Sequence, residues 1–283
     1  MKRILTALCL LLFTAAAPAT TGVAFVHGTG NQTDALHDYW QPAFVNSVRQ
    51  GLIDQANFVV INCDFDQFMW DIRAAGCLAG QLVEFINAHG IDDLVVITHS
   101  NGGNVMRWIM SNPTWDSRYP SIINAIRWVN ALAPSSKGTP LADAAIQGNV
   151  FEQSVGWLLG FKTDAVRQQQ LSWMAYYNAN WLFGTSGRPA LPQPFFDVIG
   201  TDVETNPFDA DSYCGGYSLN LGLEITQAFL SSCSDGFLDC SSQSGAGQVW
   251  FSDTQRTNGR EPLSHNQSRR ACFGLDRILR DDL

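Results

Sequence analysis

Residues Gly22 to Val26 form a short apolar run that ends at His27-Gly28, and it reads as a buried strand. Helix-spaced apolar residues follow from Ala35 to Leu52. Phe58 to Ile61 is a second apolar run, and Gln67 to His89 carries a long amphipathic helical pattern. The alternation continues through a strand at Asp93–Ile97, a helix at Asn104–Met110, and strands at Ala125–Val129 and Phe195–Ile199. Continuous apolar runs, as opposed to alternating ones, are what strands covered on both faces require. Spaced by helices, they predict an α/β architecture: a mostly parallel central sheet with helices on both faces.

Two stretches break this rhythm. Residues 141–190 are rich in large apolar groups, among them Trp157, Leu158, Leu159, Phe161, Trp173, Tyr176, Tyr177 and Trp181. So apolar a segment does not suit a solvated loop. It is expected to form a helical lid or cap over the carboxyl ends of the strands, where ligands bind in such sheets. There its aromatics would line an acyl pocket, fill the core of a helical subdomain, or do both. The other stretch is the amino terminus. Met1-Lys2-Arg3, the apolar run Ile4–Phe13 and the small residues Ala15–Ala19 follow the order of a secretory signal peptide. Cleavage is expected near Ala19, leaving residues 20–283 as an exported, soluble domain.

Charge and cysteine content narrow the partners. Seventeen basic residues stand against 26 acidic ones, a formal charge of -9. Such a surface argues against nucleic acid and against electrostatic docking on anionic membranes. Losing Cys9 with the leader leaves Cys63, Cys77, Cys214, Cys233, Cys240 and Cys272, and an even set in an exported chain predicts disulfides. Cys63 and Cys77 pair most simply, since the others lie far along the chain. A bridge of that loop size contributes about 3 kcal/mol in the chain-entropy model. The remaining four allow three pairings. No C-x2-C pair exists and no histidine sits at ligand spacing, so no metal site is expected from the cysteines.

The chemistry lies where strand Leu94–Ile97 runs into Thr98-His99-Ser100-Asn101-Gly102-Gly103. A strand that turns sharply into a helix at a serine flanked by small residues is a nucleophile elbow. It lifts the hydroxyl above the sheet at a helix amino end, where backbone N–H groups and the helix dipole favour a developing oxyanion. Thr98 replaces the first glycine of the usual G-x-S-x-G. His27-Gly28-Thr29-Gly30, directly after the first strand, is placed to complete an oxyanion hole. Its donors are then the backbone N–H groups of Thr29 and Asn101. No P-loop sequence follows that glycine-rich turn. The elbow also demands a base. Of five histidines, His27 and His99 belong to these loops, and His37 and His89 fall in helical patterns ahead of the serine. Only His265 follows the serine. Asp202, Asp235 and Asp239 are the candidate acids.

With these motifs the chain resembles the bacterial secreted triacylglycerol lipases of the Pseudomonas and Burkholderia type, members of the α/β-hydrolase superfamily. The resemblance runs through Val26-His27-Gly28, the Thr98–Gly103 elbow, Ala131–Pro134 and Lys137–Asp143. It continues through Ile199-Gly200-Thr201, Ser234–Leu238 and Cys240-Ser241-Ser242 to His265. It implies an α/β-hydrolase fold and a Ser100–Asp235–His265 triad, with the acid in the Asp-Gly motif. It implies hydrolysis of small-molecule or lipid esters, with transient contact at a lipid interface and no obligate protein partner. It also implies pairing of Cys214 with Cys240, which leaves Cys233 for Cys272. One feature departs from that family: the aspartate it carries two residues after the histidine, part of a calcium site, is replaced by Gln267. Asp209 and Asp211 read as solvated loop residues, so no cofactor or structural calcium is expected. A polyester depolymerase is the neighbouring alternative, and a catalytically silent binding protein on the same fold is the rival from another class. Retention of Ser100, Asp235 and His265 together speaks against the latter.

Overall fold

Six strands form one sheet in the order β2-β1-β3-β4-β5-β6, and every neighbouring pair is parallel. The strands are β1 (Thr21–Val26), β2 (Phe58–Val60), β3 (Asp93–His99), β4 (Ile126–Leu132), β5 (Phe195–Ile199) and β6 (Gln248–Ser252). This computed structural model describes residues 19–147 and 162–283. The leader, and Trp157, Leu158, Leu159 and Phe161 of the apolar segment, lie outside the described residues. Five strands match the predicted apolar runs. The sixth has no counterpart among them, because its sequence is not an apolar run: Gln248 and Val249 are exposed and only Phe251 is fully buried.

The strands read as unbroken apolar runs because each face has its own core. Val23, Phe25, Val95 and Ile97 point to one side, against Trp40, Phe44 and Leu275. Ala24, Val26, Leu94 and Val96 point to the other, against Leu78, Leu82, Met106 and Ile109. The first side is covered by α1 (Pro42–Arg49) and by the last helix, and the second by α2 (Cys77–His89), α3 (Gly102–Ser111) and α4 (Tyr119–Ala125). The remaining helices among the described residues are α5 (Pro140–Gln147), α6 (Asp164–Gln168), α7 (Leu171–Asn180), α8 (Tyr217–Gln227), α9 (Cys240–Gln243), α10 (Asp253–Arg256) and α11 (Leu275–Asp282).

Two predicted helices are shorter than their apolar patterns. The Ala35–Leu52 pattern divides into a wide turn at Leu36–Trp40 and α1. The break falls at Gln41, whose φ is 68°, because the ring of Pro42 disfavours helical backbone in the residue before it. In the Gln67–His89 pattern, regular helix begins only at Cys77. A wide turn at Ile72–Gly76 precedes it, opened by Asp71, whose carboxylate accepts the Arg73 N–H at 2.8 Å.

Three disulfides are present. Cys63–Cys77 is the predicted one. The other two differ from the pairing implied by family resemblance: Cys214 joins Cys272 and Cys233 joins Cys240. The local backbone explains this. An antiparallel bridge between Ser234 and Asp239 folds that segment into a tight hairpin. The hairpin brings the Cα atoms of Cys233 and Cys240 to 5.4 Å, within the range a disulfide spans.

Beneath the sheet's α3 face lies a buried charged layer. Arg107 is fully buried and donates to Asn178 Oδ1 at 2.9 Å and to the Phe183 carbonyl at 2.8 Å, tying α3 to α7 and the segment that follows it. Asp197 on β5 is its electrostatic partner, and burial pushes that carboxyl well above the usual carboxylate range.

Candidate active site

The site sits where chain segments following β1, β3, β5 and β6 meet. Ser100 follows β3 directly and has φ 53°, in the left-handed region that a side-chain-bearing residue enters only under strain. Its N–H donates to the Leu132 carbonyl at 2.9 Å, which anchors the turn to β4. Thr98, two residues before the serine, is fully buried. The side chain that glycine would lack there is accommodated by Gly103, where an added Cβ would come within 3.4 Å of Thr98 Oγ1.

The loop after β1 is pressed against this turn. A Cβ on Gly28 would lie 2.9 Å from the Ser100 Cβ, and one on Gly102 would lie 2.2 Å from the His27 carbonyl oxygen. Glycine at both positions is therefore what allows the two loops to touch. His27 locks the first loop from inside. Its Nδ1–H donates to the Gly28 carbonyl at 2.7 Å, and its Nε2 accepts the Cys63 N–H at 3.3 Å. Burial pushes its imidazole down to about 4, so the ring is neutral there. Among the described residues, the backbone N–H groups of Thr29 and Asn101 donate to no protein acceptor.

His265 Nδ1 lies 2.7 Å from Asp235 Oδ2, and the His265 N–H also donates to the Asp235 carbonyl at 2.8 Å. Asp235 is fully buried, and its Oδ1 accepts the N–H groups of Phe237 at 2.9 Å and Leu238 at 2.7 Å. Each carboxylate oxygen therefore has a defined partner. Asp202 is exposed and bonds Gln227 Nε2 at 2.7 Å, whereas Asp239 accepts the Ser231 N–H at 2.7 Å. Of the three candidate acids, the structure brings Asp235 to the histidine. Ser100, His265 and Thr29 line one cavity of about 260 Å³, with Leu219, Leu223 and Phe237 as its apolar wall. The Phe237 ring stacks on the His265 imidazole at 4.7 Å. No described residue of 141–190 lines this cavity, and the apolar wall given by described residues comes from α8 and the Asp235 hairpin.

That segment reaches the site from behind. Gln168 Nε2 donates to Asn101 Oδ1 and Gln169 Nε2 to Thr29 Oγ1, each at 3.0 Å. Both glutamines are buried. They brace the two residues that carry the free N–H groups, and nothing in the sequence pattern singled them out. Tyr39 and His99 are a second pair that sequence reasoning missed in this role. The Tyr39 hydroxyl bonds His99 Nδ1, and His99 Nε2–H donates to the His265 carbonyl at 2.9 Å. Burial, then the positive charge of neighbouring groups, holds the His99 imidazole well below its ordinary range. A neutral His99 with hydrogen on Nε2 thus couples the serine turn to the backbone of His265.

Gln267, at the position of the lipase family's calcium aspartate, bonds protein instead. Its Oε1 accepts the Ser264 N–H at 2.9 Å and its Nε2 donates to the Asp211 carbonyl at 3.4 Å. Asp209 and Asp211 are exposed, and Asp209 Oδ1 accepts the Asp211 N–H at 3.0 Å. No group of three or more potential metal ligands occurs among the described residues.

Sheet order and the placement of the serine turn define an α/β-hydrolase fold, and solved structures agree. The mature form of Bacillus licheniformis lipase BlEst2 superposes with a TM-score of 0.65 at 18% identity, covering 94% of this chain and 93% of that one. Its propeptide form matches with a TM-score of 0.59 at 19% identity, covering 91% of this chain and 49% of that longer one. The metagenomic carboxyl esterase MGS0156 gives 0.53 at 13% identity, covering 96% and 80% of the two chains. No family model and no curated protein matches the sequence. At such identities the likeness establishes the fold.

Proposed function

We propose that the protein is an exported serine esterase that cleaves carboxylic esters of short acyl chains through an acyl-enzyme on Ser100. One observation carries this reading: His265 is held at 2.7 Å by a buried aspartate, in the cavity of a serine with φ 53°. In the reaction, Asp235 keeps the imidazole proton on Nδ1, so Nε2 is the base. His265 removes the Ser100 proton as Oγ attacks the ester carbonyl. The Thr29 and Asn101 N–H groups hold the oxyanion. His265 then returns the proton to the departing alcohol, and a water molecule repeats the sequence to free the acid.

The folds of a named lipase and a named carboxyl esterase support ester chemistry. Among acyl chains, the cavity favours short ones: about 260 Å³ is below the usual 300–1,000 Å³ of a ligand pocket. Three disulfides fit an extracellular or periplasmic protein. The motifs shared with Pseudomonas- and Burkholderia-type lipases support the same chemistry, while the disulfide pattern sets this chain apart from the one that family implies. The test is a series of p-nitrophenyl esters from acetate to palmitate. Turnover should be highest at the short end, change little when substrate passes its solubility limit, and vanish in Ser100→Ala. Hydrolysis no faster than the Ser100→Ala background would overturn the esterase reading. A preference for palmitate with a jump at the droplet phase would make it a lipase.

A further inference from the structure

Away from Ser100, a second cavity of about 250 Å³ is lined, among the described residues, by aromatic side chains: Trp70, Trp108, Trp115, Tyr177 and Trp181. They come from three places in the fold: the turn before α2, the end of α3 with the loop beyond it, and α7 with the residue that ends it. Trp108, only 3% exposed, is the floor. Trp70, Trp115 and Trp181 stand around it with ring centroids at 5.4, 5.1 and 6.2 Å and planes turned by 49°, 84° and 37°. Tyr177 closes the remaining side against Trp70 at 5.2 Å. Trp115 and Trp181 are 56% and 41% exposed, so the cavity opens to solvent between them. Trp108 lies eight residues beyond Ser100, roughly 12 Å along the rise of α3. No residue of this cavity lines the catalytic one.

We propose that this aromatic box binds a quaternary ammonium group, the trimethylammonium of choline-type compounds. The ring faces carry negative quadrupole potential, and a cation without hydrogen-bond donors is recognised by such faces and by little else. Among the described residues the wall contains no lysine or arginine to repel a cation, and the chain's formal charge of -9 adds a long-range attraction. A sugar would need a flat exposed ring face edged by hydrogen-bonding groups, but these planes are steeply inclined to one another. An acyl chain would be served as well by aliphatic walls, and none occurs among the described lining residues.

The experiment is a tryptophan-fluorescence titration with choline, its uncharged isostere 3,3-dimethylbutan-1-ol, and maltotriose, with sodium chloride as the ionic control. The prediction is saturable quenching by choline and binding of the isostere at least about tenfold weaker. Trp115→Ala and Trp181→Leu, both at the exposed mouth, should each weaken choline binding, the second while keeping the cavity apolar. Equal affinity for choline and the isostere would reduce the site to an apolar pocket and overturn the proposal. So would saturation by maltotriose in preference to choline, absence of saturation by choline, or choline binding unchanged in both variants. None of these readouts depends on ester hydrolysis.

Discussion

Asp235 is the residue on which the proposed chemistry is most sharply testable. Its two oxygens are divided between backbone donors and the imidazole, so replacing it by asparagine keeps the shape and disturbs the tautomer of His265. Asp235→Asn should lower turnover about 10⁴-fold, whereas Asp202→Asn, on an exposed loop, should stay within about threefold of the parent. Ester hydrolysis of the two variants side by side decides between them. Gln168→Ala combined with Gln169→Ala removes the bonds behind Asn101 and Thr29. It should lower kcat by about tenfold to a hundredfold with a smaller change in KM, since loosened donors act on the oxyanion more than on the bound ester. Ser100 and His265 were legible because an elbow has a recognisable local sequence and only one histidine follows it. Asp235 was singled out only through the resemblance of its Asp-Gly motif to the lipases, the residues alone leaving Asp202 and Asp239 open. The two glutamines and Tyr39 were not, because their roles exist only through contacts across 60 to 140 positions of chain.

At the scale of elements, the site depends on loops that touch only because side chains are missing between them. Gly102→Ala would drive its Cβ into the His27 carbonyl oxygen. We predict a loss of roughly 1–3 kcal/mol, typical of overpacking, measured by urea unfolding, with a larger loss of activity because the two loops carrying the proposed oxyanion donors must separate. The bridges divide the same way. In the chain-entropy model, cutting Cys214–Cys272, which spans 58 positions, costs about 4 kcal/mol. Cutting Cys233–Cys240, which spans 7, costs about 2 kcal/mol. Yet the smaller bridge clasps the hairpin that carries Asp235, so Cys233→Ser with Cys240→Ser should harm activity more than Cys214→Ser with Cys272→Ser does. Stability and turnover of the two double variants should therefore rank in opposite orders. Buried strands were legible as apolar runs. Strand β6 was not, since two of its five residues are exposed and one is fully buried, and neither was the break at Gln41, where backbone geometry overrides an apolar pattern that continues through it.

For the whole molecule, burial of a neutral His27 contributes to the acid limb of stability. The folded-state value of His27 is depressed from about 6.5 to about 4, so the unfolded chain binds the proton first as pH falls. Its contribution is complete above about pH 6.5 and is lost on the way down to pH 4, roughly 3 kcal/mol in all. Urea midpoints of the parent should fall over that range, and His27→Gln should flatten the fall; an identical slope in the variant would contradict the assignment. The alternation of apolar strands and helices revealed the layered sheet from sequence alone, but which cysteines pair required the hairpin to be in place. The central claim is that Ser100 is a nucleophile activated by His265. A fluorophosphonate probe followed by peptide mapping tests it: one covalent adduct is expected, on Ser100, formed at a rate that collapses in His265→Ala. No adduct, an adduct on another residue, or labelling of Ser100 that is indifferent to His265 would contradict it.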